Sequence, residues 1–176
     1  MDLSQTLFSL IDMRSFSSIW YWVILAVAWS TASHFIMGVP YDLVTQYRRD
    51  TSLAPDLVAL GGVNARRLLR FGRARTALTA LWWCLTSFLV FSGFYYGAEL
   101  AQACLFLVVP LSVVMIMAMR NAATLAALAT RAEAGQIADL LHRIRFRVQL
   151  LGMASIFLTA IWGMLINLLH HSIRLW

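Results

Sequence analysis

The chain has 176 residues, of which 61% are hydrophobic and only 12% charged, with a formal net charge of +6 and a mean hydropathy of +0.73. A soluble domain carries about 25% charged residues to cover its surface. This composition therefore excludes an ordinary water-soluble fold and points to a lipid bilayer as the solvent.

Residues 1–16 place Leu3, Leu7, Leu10 and Ile11 at helical spacing with polar residues between them. This pattern predicts an amphipathic helix lying in the membrane interface, or the same face packed on a partner subunit. It is not read as a secretory signal, because Asp2 and Asp12 stand where a basic leader is required.

Crossing the hydrocarbon core takes about 20 apolar residues in a helix. Residues 19–39 form the first such run, and residues 148–169 the last; neither contains Asp, Glu, Lys or Arg. Between them, Ala77 to Met119 carries one charge, Glu99. As a single helix this run would be about 65 Å long, roughly twice the core thickness. It must therefore reverse. Ser92-Gly93-Phe94-Tyr95-Tyr96-Gly97 supplies glycines for the turn and tyrosines for the interface. The run divides into spans at 77–94 and 99–119, and the expected fold class is an all-α, antiparallel four-transmembrane-helix bundle over a single membrane domain, residues 1–176.

All 14 basic residues are arginine, and their distribution orients the bundle. Segments 40–76 and 120–147 hold twelve of them, and the remaining external segments only Arg14 and Arg174. By the positive-inside bias these two loops are cytoplasmic, and both termini, including the 170–176 tail, face the periplasm. Arg66, Arg67, Arg70, Arg73 and Arg75 in the first loop, with Arg143, Arg145 and Arg147 in the second, are candidates for topology determination and contact with anionic lipid headgroups. Nothing around them forms a nucleic-acid recognition module or stacking platform.

Within the first loop, Pro40 ends span one and Ala54-Pro55-Asp56 starts a helix. Gly61-Gly62 reads as an interruption, and Asn64 as the cap of a second helix leading into span two. The second loop, 120–147, reads as a cytoplasmic helical hairpin, with span three continuing to about Ala134 and Gly135 ending it. Its tip residues Arg131 and Glu133 are candidates for docking a partner. In span four, Ser155, Thr159 and Gly163 form a small-residue row for close helix packing, against this chain or another subunit. Pro110 should kink span three.

Chemistry-bearing constellations are scarce. Cys84 and Cys104 are too few for a disulfide framework or zinc site and read as small apolar packing residues. His34 and His142 both lie toward the cytoplasmic side, which allows one haem-ligating pair, whereas the adjacent His170 and His171 read as a polar end at the outer interface. No paired intramembrane acids, phosphate loop, zinc helix or nucleophile–base spacing is present, so the chain is read as non-enzymatic and without a cofactor. Gln149, Ser155, Thr159 and Asn167 form only a partial polar stripe along span four.

The stretch Ile11-Asp12-Met13-Arg14-Ser15-Phe16, continuing through Trp20-Tyr21-Trp22 and Trp29-Ser30-Thr31-Ala32-Ser33-His34 to Gly38-Val39-Pro40-Tyr41-Asp42, resembles the opening of a group of small alphaproteobacterial inner-membrane proteins. That group carries the description "component of SufBCD complex", the iron–sulfur-cluster assembly machinery. The likeness extends to Asn64-Ala65-Arg66-Arg67-Leu68-Leu69 and to Tyr95-Tyr96-Gly97-Ala98-Glu99-Leu100-Ala101-Gln102, over roughly the first 100 residues. Two cysteines do not supply the four thiolates of a typical cluster, so the resemblance implies a membrane attachment or accessory subunit rather than a scaffold. The expected function is an accessory, assembly or anchoring subunit of a bacterial inner-membrane complex, of a bioenergetic or iron–sulfur-assembly kind. Its expected partners are anionic lipids and other inner-membrane subunits or further copies of itself. The alternatives are a small homo-oligomeric channel or transporter and a haem-binding electron-transfer subunit.

Overall fold

The computed structural model describes residues 19–71 and 75–173. The amphipathic pattern at 1–16, Arg73 and residues 174–176 lie outside the described residues. The described chain is helical apart from one small strand pair. It runs α1 (Ile19–His34), β1 (Phe35–Ile36), β2 (Val39–Pro40), α2 (Tyr41–Tyr47), a 3-10 turn (Thr51–Leu53), α3 (Ala54–Phe71), α4 (Arg75–Val90, extended by a π turn at Phe91–Tyr95), α5 (Glu99–Thr130) and α6 (Ala134–Ile173). Among the described residues three stretches are long and apolar enough to cross a membrane: Thr76–Tyr95, Glu99–Thr130 and Ala134–Leu168.

The described part of α1 has 16 residues, about 24 Å at 1.5 Å per residue. The apolar run continues to Val39, but the helix stops at His34. Phe35–Pro40 instead turns back as an antiparallel pair, with Phe35 opposite Pro40 and Ile36 opposite Val39. Met37 (φ 54°) and Gly38 (φ 80°) form its tip, the two positive φ values that a tight two-residue hairpin requires. Ile36, Met37 and Val39 are buried, so the apolar residues that read as the end of a span are core residues of a hairpin.

Helix lengths set the architecture. Arg75–Tyr95 rises about 30 Å, a single bilayer core, whereas the 32 residues of α5 and 40 of α6 rise about 48 and 60 Å. Gly97, at φ 68°, turns the chain from α4 into α5. Both long helices then run past the start of α4, and α3 packs on this excess length. Gly61 and Gly62 do not interrupt α3; both are buried against its neighbours, and Gly62 is the one whose missing side chain lets α3 approach closely. A Cβ on Gly61 would lie 3.5 Å from Leu125 Cδ1, and one on Gly62 would lie 3.2 Å from Ala129 Cβ. The core sits here, at Leu57, Ala65, Ala122, Leu125, Ile137, Leu141 and Val44. We call this end the head, and the apolar lengths of α4, α5 and α6 the stem.

Asn64 is not a helix cap. It lies inside α3, and its Nδ2 donates to the Gly38 carbonyl at 2.9 Å, pinning the 35–40 hairpin to the head. The α5–α6 reversal also falls earlier than Gly135, which lies in the first turn of α6. Ala132 takes the left-handed conformation at φ 55°, while Glu133 N–H donates to Leu128 O and Ala132 N–H to Ala129 O. This is a Schellman cap with alanine where glycine is usual. The three-residue connection returns Ala134 and Ile137 directly onto the core, where both are buried.

Candidate functional site

In the stem, α6 presents a row of Val148, Gly152, Ser155, Thr159 and Gly163 to the bundle interior, all buried. The packing residues singled out by the sequence thus face this chain's own helices. A Cβ on Gly152 would lie 2.8 Å from the Trp29 ring, so glycine is what lets α1 approach. Pro110 lacks the N–H that would bond Phe106 O one turn back. Ser155 Oγ of α6 donates to that carbonyl at 3.4 Å, a way of satisfying a backbone acceptor in an apolar medium.

Toward the α4–α5 turn, Gln102 joins three helices. Its Nε2 donates to Gly93 O at 2.7 Å and its Oε1 accepts from Trp162 Nε1 at 3.0 Å. Tyr21 Oη donates to Ala103 O at 3.3 Å. These polar groups are engaged in helix–helix bonds. The partial polar stripe of α6 divides: Ser155 and Thr159 are buried in the bundle, whereas Gln149 is exposed.

The row of α4 that faces α5 loses burial along its length. Gly93, Leu89 and Thr86 are buried, Trp82 is half-buried and Thr79 is exposed. A Cβ on Gly93 would touch Gln102 at 3.0 Å, so the helices meet closely there. At the other end the Trp82 indole stands between them and donates to Ser112 Oγ at 2.6 Å. Beside this contact lies a groove of about 630 Å³ lined by Leu68 of α3, Leu78, Thr79, Trp82 and Trp83 of α4, and Ser112, Met115, Ile116 and Met119 of α5.

The basic residues of the head divide by environment. Arg66, Arg67, Arg70, Arg120, Arg131, Arg143 and Arg147 are exposed, and Arg75 is the first residue of α4. Arg145 is half-buried and lies 3.6 Å above the Tyr41 ring, a cation–π contact. Tyr41 Oη also pairs with His142 Nδ1 at 2.8 Å, and Arg48 pairs with Asp139 at 3.1 Å. These contacts fasten α2 to α6. Asp50 accepts from the Ser52 N–H and caps the 3-10 turn; that bond and the Ser52 hydroxyl hold its carboxyl below the usual range.

The two histidines considered as haem ligands have protein partners: His34 Nε2 lies 3.8 Å from Asp42, and His142 pairs with Tyr41. The side chains of His170 and His171 are outside the described residues. Among the described residues no three His, Cys, Asp or Glu side chains gather as metal ligands. At the α5–α6 turn Arg131 is exposed, whereas Glu133 is half-buried, with Oε2 shielded and without a hydrogen-bond partner. No family model, curated protein or solved structure matches this chain.

Proposed function

We propose that this protein is a non-enzymatic accessory or anchoring subunit of a bacterial inner-membrane complex, with its head in the cytoplasm and its stem in lipid. The observation that carries this reading is the division of the molecule. Its core is concentrated in the head, where α3 and the hairpin pack on lengths of α5 and α6 that exceed a bilayer. The stem leaves large apolar side chains exposed along α4, α5 and α6, as suits immersion in lipid. Twelve arginines lie in segments 40–76 and 120–147, against two elsewhere outside the spans, which supports a cytoplasmic head. The fourth span is α1, whose described length is short for a bilayer and whose end is held by the 35–40 hairpin.

The head is built as a fixed surface. Cation–π, hydrogen-bond and ion-pair contacts between α2 and α6 and the glycine-mediated seat of α3 fix its elements, and Arg131 projects from the α5–α6 turn. Such a surface suits docking of a protein partner from a bioenergetic or iron–sulfur-assembly complex. Gentle-detergent purification from native membranes, followed by mass spectrometry of co-purifying proteins, tests this. Stoichiometric partners are expected, and Arg131→Glu should lower their recovery without lowering membrane insertion. A homo-oligomer with no other protein would overturn the reading and favour a channel. An absorption band from bound haem would favour an electron-transfer subunit.

A further inference from the structure

We propose that the groove between α3, α4 and α5 is a binding site for one anionic phospholipid, taking an acyl chain between Trp82 and Met115 and the headgroup among the arginines at its head-side end. The inference rests on the stem lying in lipid and the arginine-rich end lying at the headgroups; it is independent of which protein the head docks.

The shape selects the occupant. The groove holds about 630 Å³, within the roughly 300–1,000 Å³ of small-molecule sites. Its floor is closed where Trp82 Nε1 meets Ser112 Oγ, so a helix about 10 Å across cannot pass between α4 and α5. A flexible chain can lie along the surface. The walls select an apolar chain. Leu68, Leu78, Met115, Ile116 and Met119 supply aliphatic and thioether surface, and Trp82 and Trp83 supply rings. Methionines adapt to an irregular partner. Ser112, one of the two lining hydroxyls, is already engaged, donating to Val108 O at 2.7 Å while accepting from Trp82.

Charge at one end selects the headgroup. On α5 the row Ser112, Ile116, Arg120 advances four residues at a time, so Arg120 follows the groove wall by one turn on the same face. On α3, Arg67 and Arg70 are exposed one residue before and two after Leu68, on faces that flank the groove wall rather than line it, so they supply charge near this end. The ion pairs His34–Asp42 and Arg48–Asp139 do not draw on Arg67, Arg70 or Arg120. An anionic phosphate at the membrane surface complements this charge. At the other end of α4, tight packing of Gly93 on Gln102 leaves no comparable space.

The test uses the full-length protein, purified and delipidated in mild detergent. Phosphatidylglycerol and phosphatidylcholine with matched chains are added separately, and retained lipid is read by native mass spectrometry. Wild type should retain a single phosphatidylglycerol, in preference to phosphatidylcholine by on the order of tenfold. Arg67→Gln combined with Arg120→Gln should bring the two lipids near parity; ten arginines remain in the two basic segments, which preserves their excess. Met115→Trp, or Leu78→Trp on the opposite wall if the first does not fold, should lower retention of both lipids. Equal retention of the two lipids by wild type would overturn the proposal. So would undiminished phosphatidylglycerol retention in either tryptophan variant that folds. Loss of a co-purifying protein partner leaves these outcomes unaffected, so failure of the subunit reading and failure of the lipid site are distinguishable.

Discussion

The head and the stem use the same aliphatic residues in opposite ways. Leu141 in the head is 0% exposed, whereas Leu158, seventeen residues further along the same helix, is 57% exposed. In water, an exposed apolar surface as extensive as that of the stem would drive association. In lipid it costs nothing, because acyl chains are as apolar as leucine. The head is held by burial of aliphatic side chains away from water. The stem is held by close backbone approach and satisfied polar groups: Gly152 under Trp29, Ser155 on the carbonyl freed by Pro110, and Gln102 bridging α4 and α6. On the proposed placement one helix, α6, passes through two solvents and changes its packing rules near Val148.

The sharpest way to break this comparison is to truncate one leucine in each region. Leu141→Ala should destabilise the protein by about 2–5 kcal/mol, and Leu158→Ala by under about 0.5 kcal/mol, measured by thermal unfolding in detergent. Similar losses at both sites would remove the distinction. Next in size is the glycine pair. Gly152→Ala places a methyl 2.8 Å from the Trp29 ring and should cost about 1–3 kcal/mol. Gly61→Ala meets its neighbours at ordinary contact distance and should stabilise α3 by about 0.5–1 kcal/mol.

Gln102→Leu removes two interhelical bonds. It should cost about 1 kcal/mol, on the basis of roughly 0.6 kcal/mol for an average bond within a membrane, with unfolding in detergent as the readout. The last effect expected is, like that of Gly61→Ala, a gain. Ala132 sits at φ 55°, where a side chain costs about 1–2 kcal/mol. Part of that is offset by the extra freedom of glycine when unfolded, so Ala132→Gly should stabilise the α5–α6 turn by up to about 1 kcal/mol. No gain in melting temperature would show that the turn relaxes around alanine.

Composition made the helical class and the presence of membrane-length helices legible, because 61% hydrophobic residues with 12% charge leave few other solutions. Local pattern was less informative where tertiary contacts decide. Gly61-Gly62 looks like a helix break in one dimension, but becomes a packing seat once Leu125 and Ala129 lie against it. Asn64 has the chemistry of a cap and spends it on Gly38, 26 residues away. Phe35–Pro40 continues an apolar run, and only Gly38 marks the turn; the partner at its tip, Met37, carries no sequence sign of positive φ. Of the candidate site residues, the row at Ser155, Thr159 and Gly163 was readable from its spacing, but not which helix it would face. The groove was not readable, because it depends on how α3, α4 and α5 come together around Trp82 and Ser112 at one end of α4 while Gly93 packs tightly on Gln102 at the other.

Single-cysteine labelling in spheroplasts tests the division between head and stem most directly. In a background with Cys84→Ala and Cys104→Ala, Asp56→Cys marks the head and Tyr96→Cys marks the turn between α4 and α5. A membrane-impermeant maleimide should label Tyr96→Cys from the outside, and should label Asp56→Cys only after permeabilisation. Labelling of both sites from the outside, or of Asp56→Cys alone, would contradict a cytoplasmic head on a membrane-spanning stem.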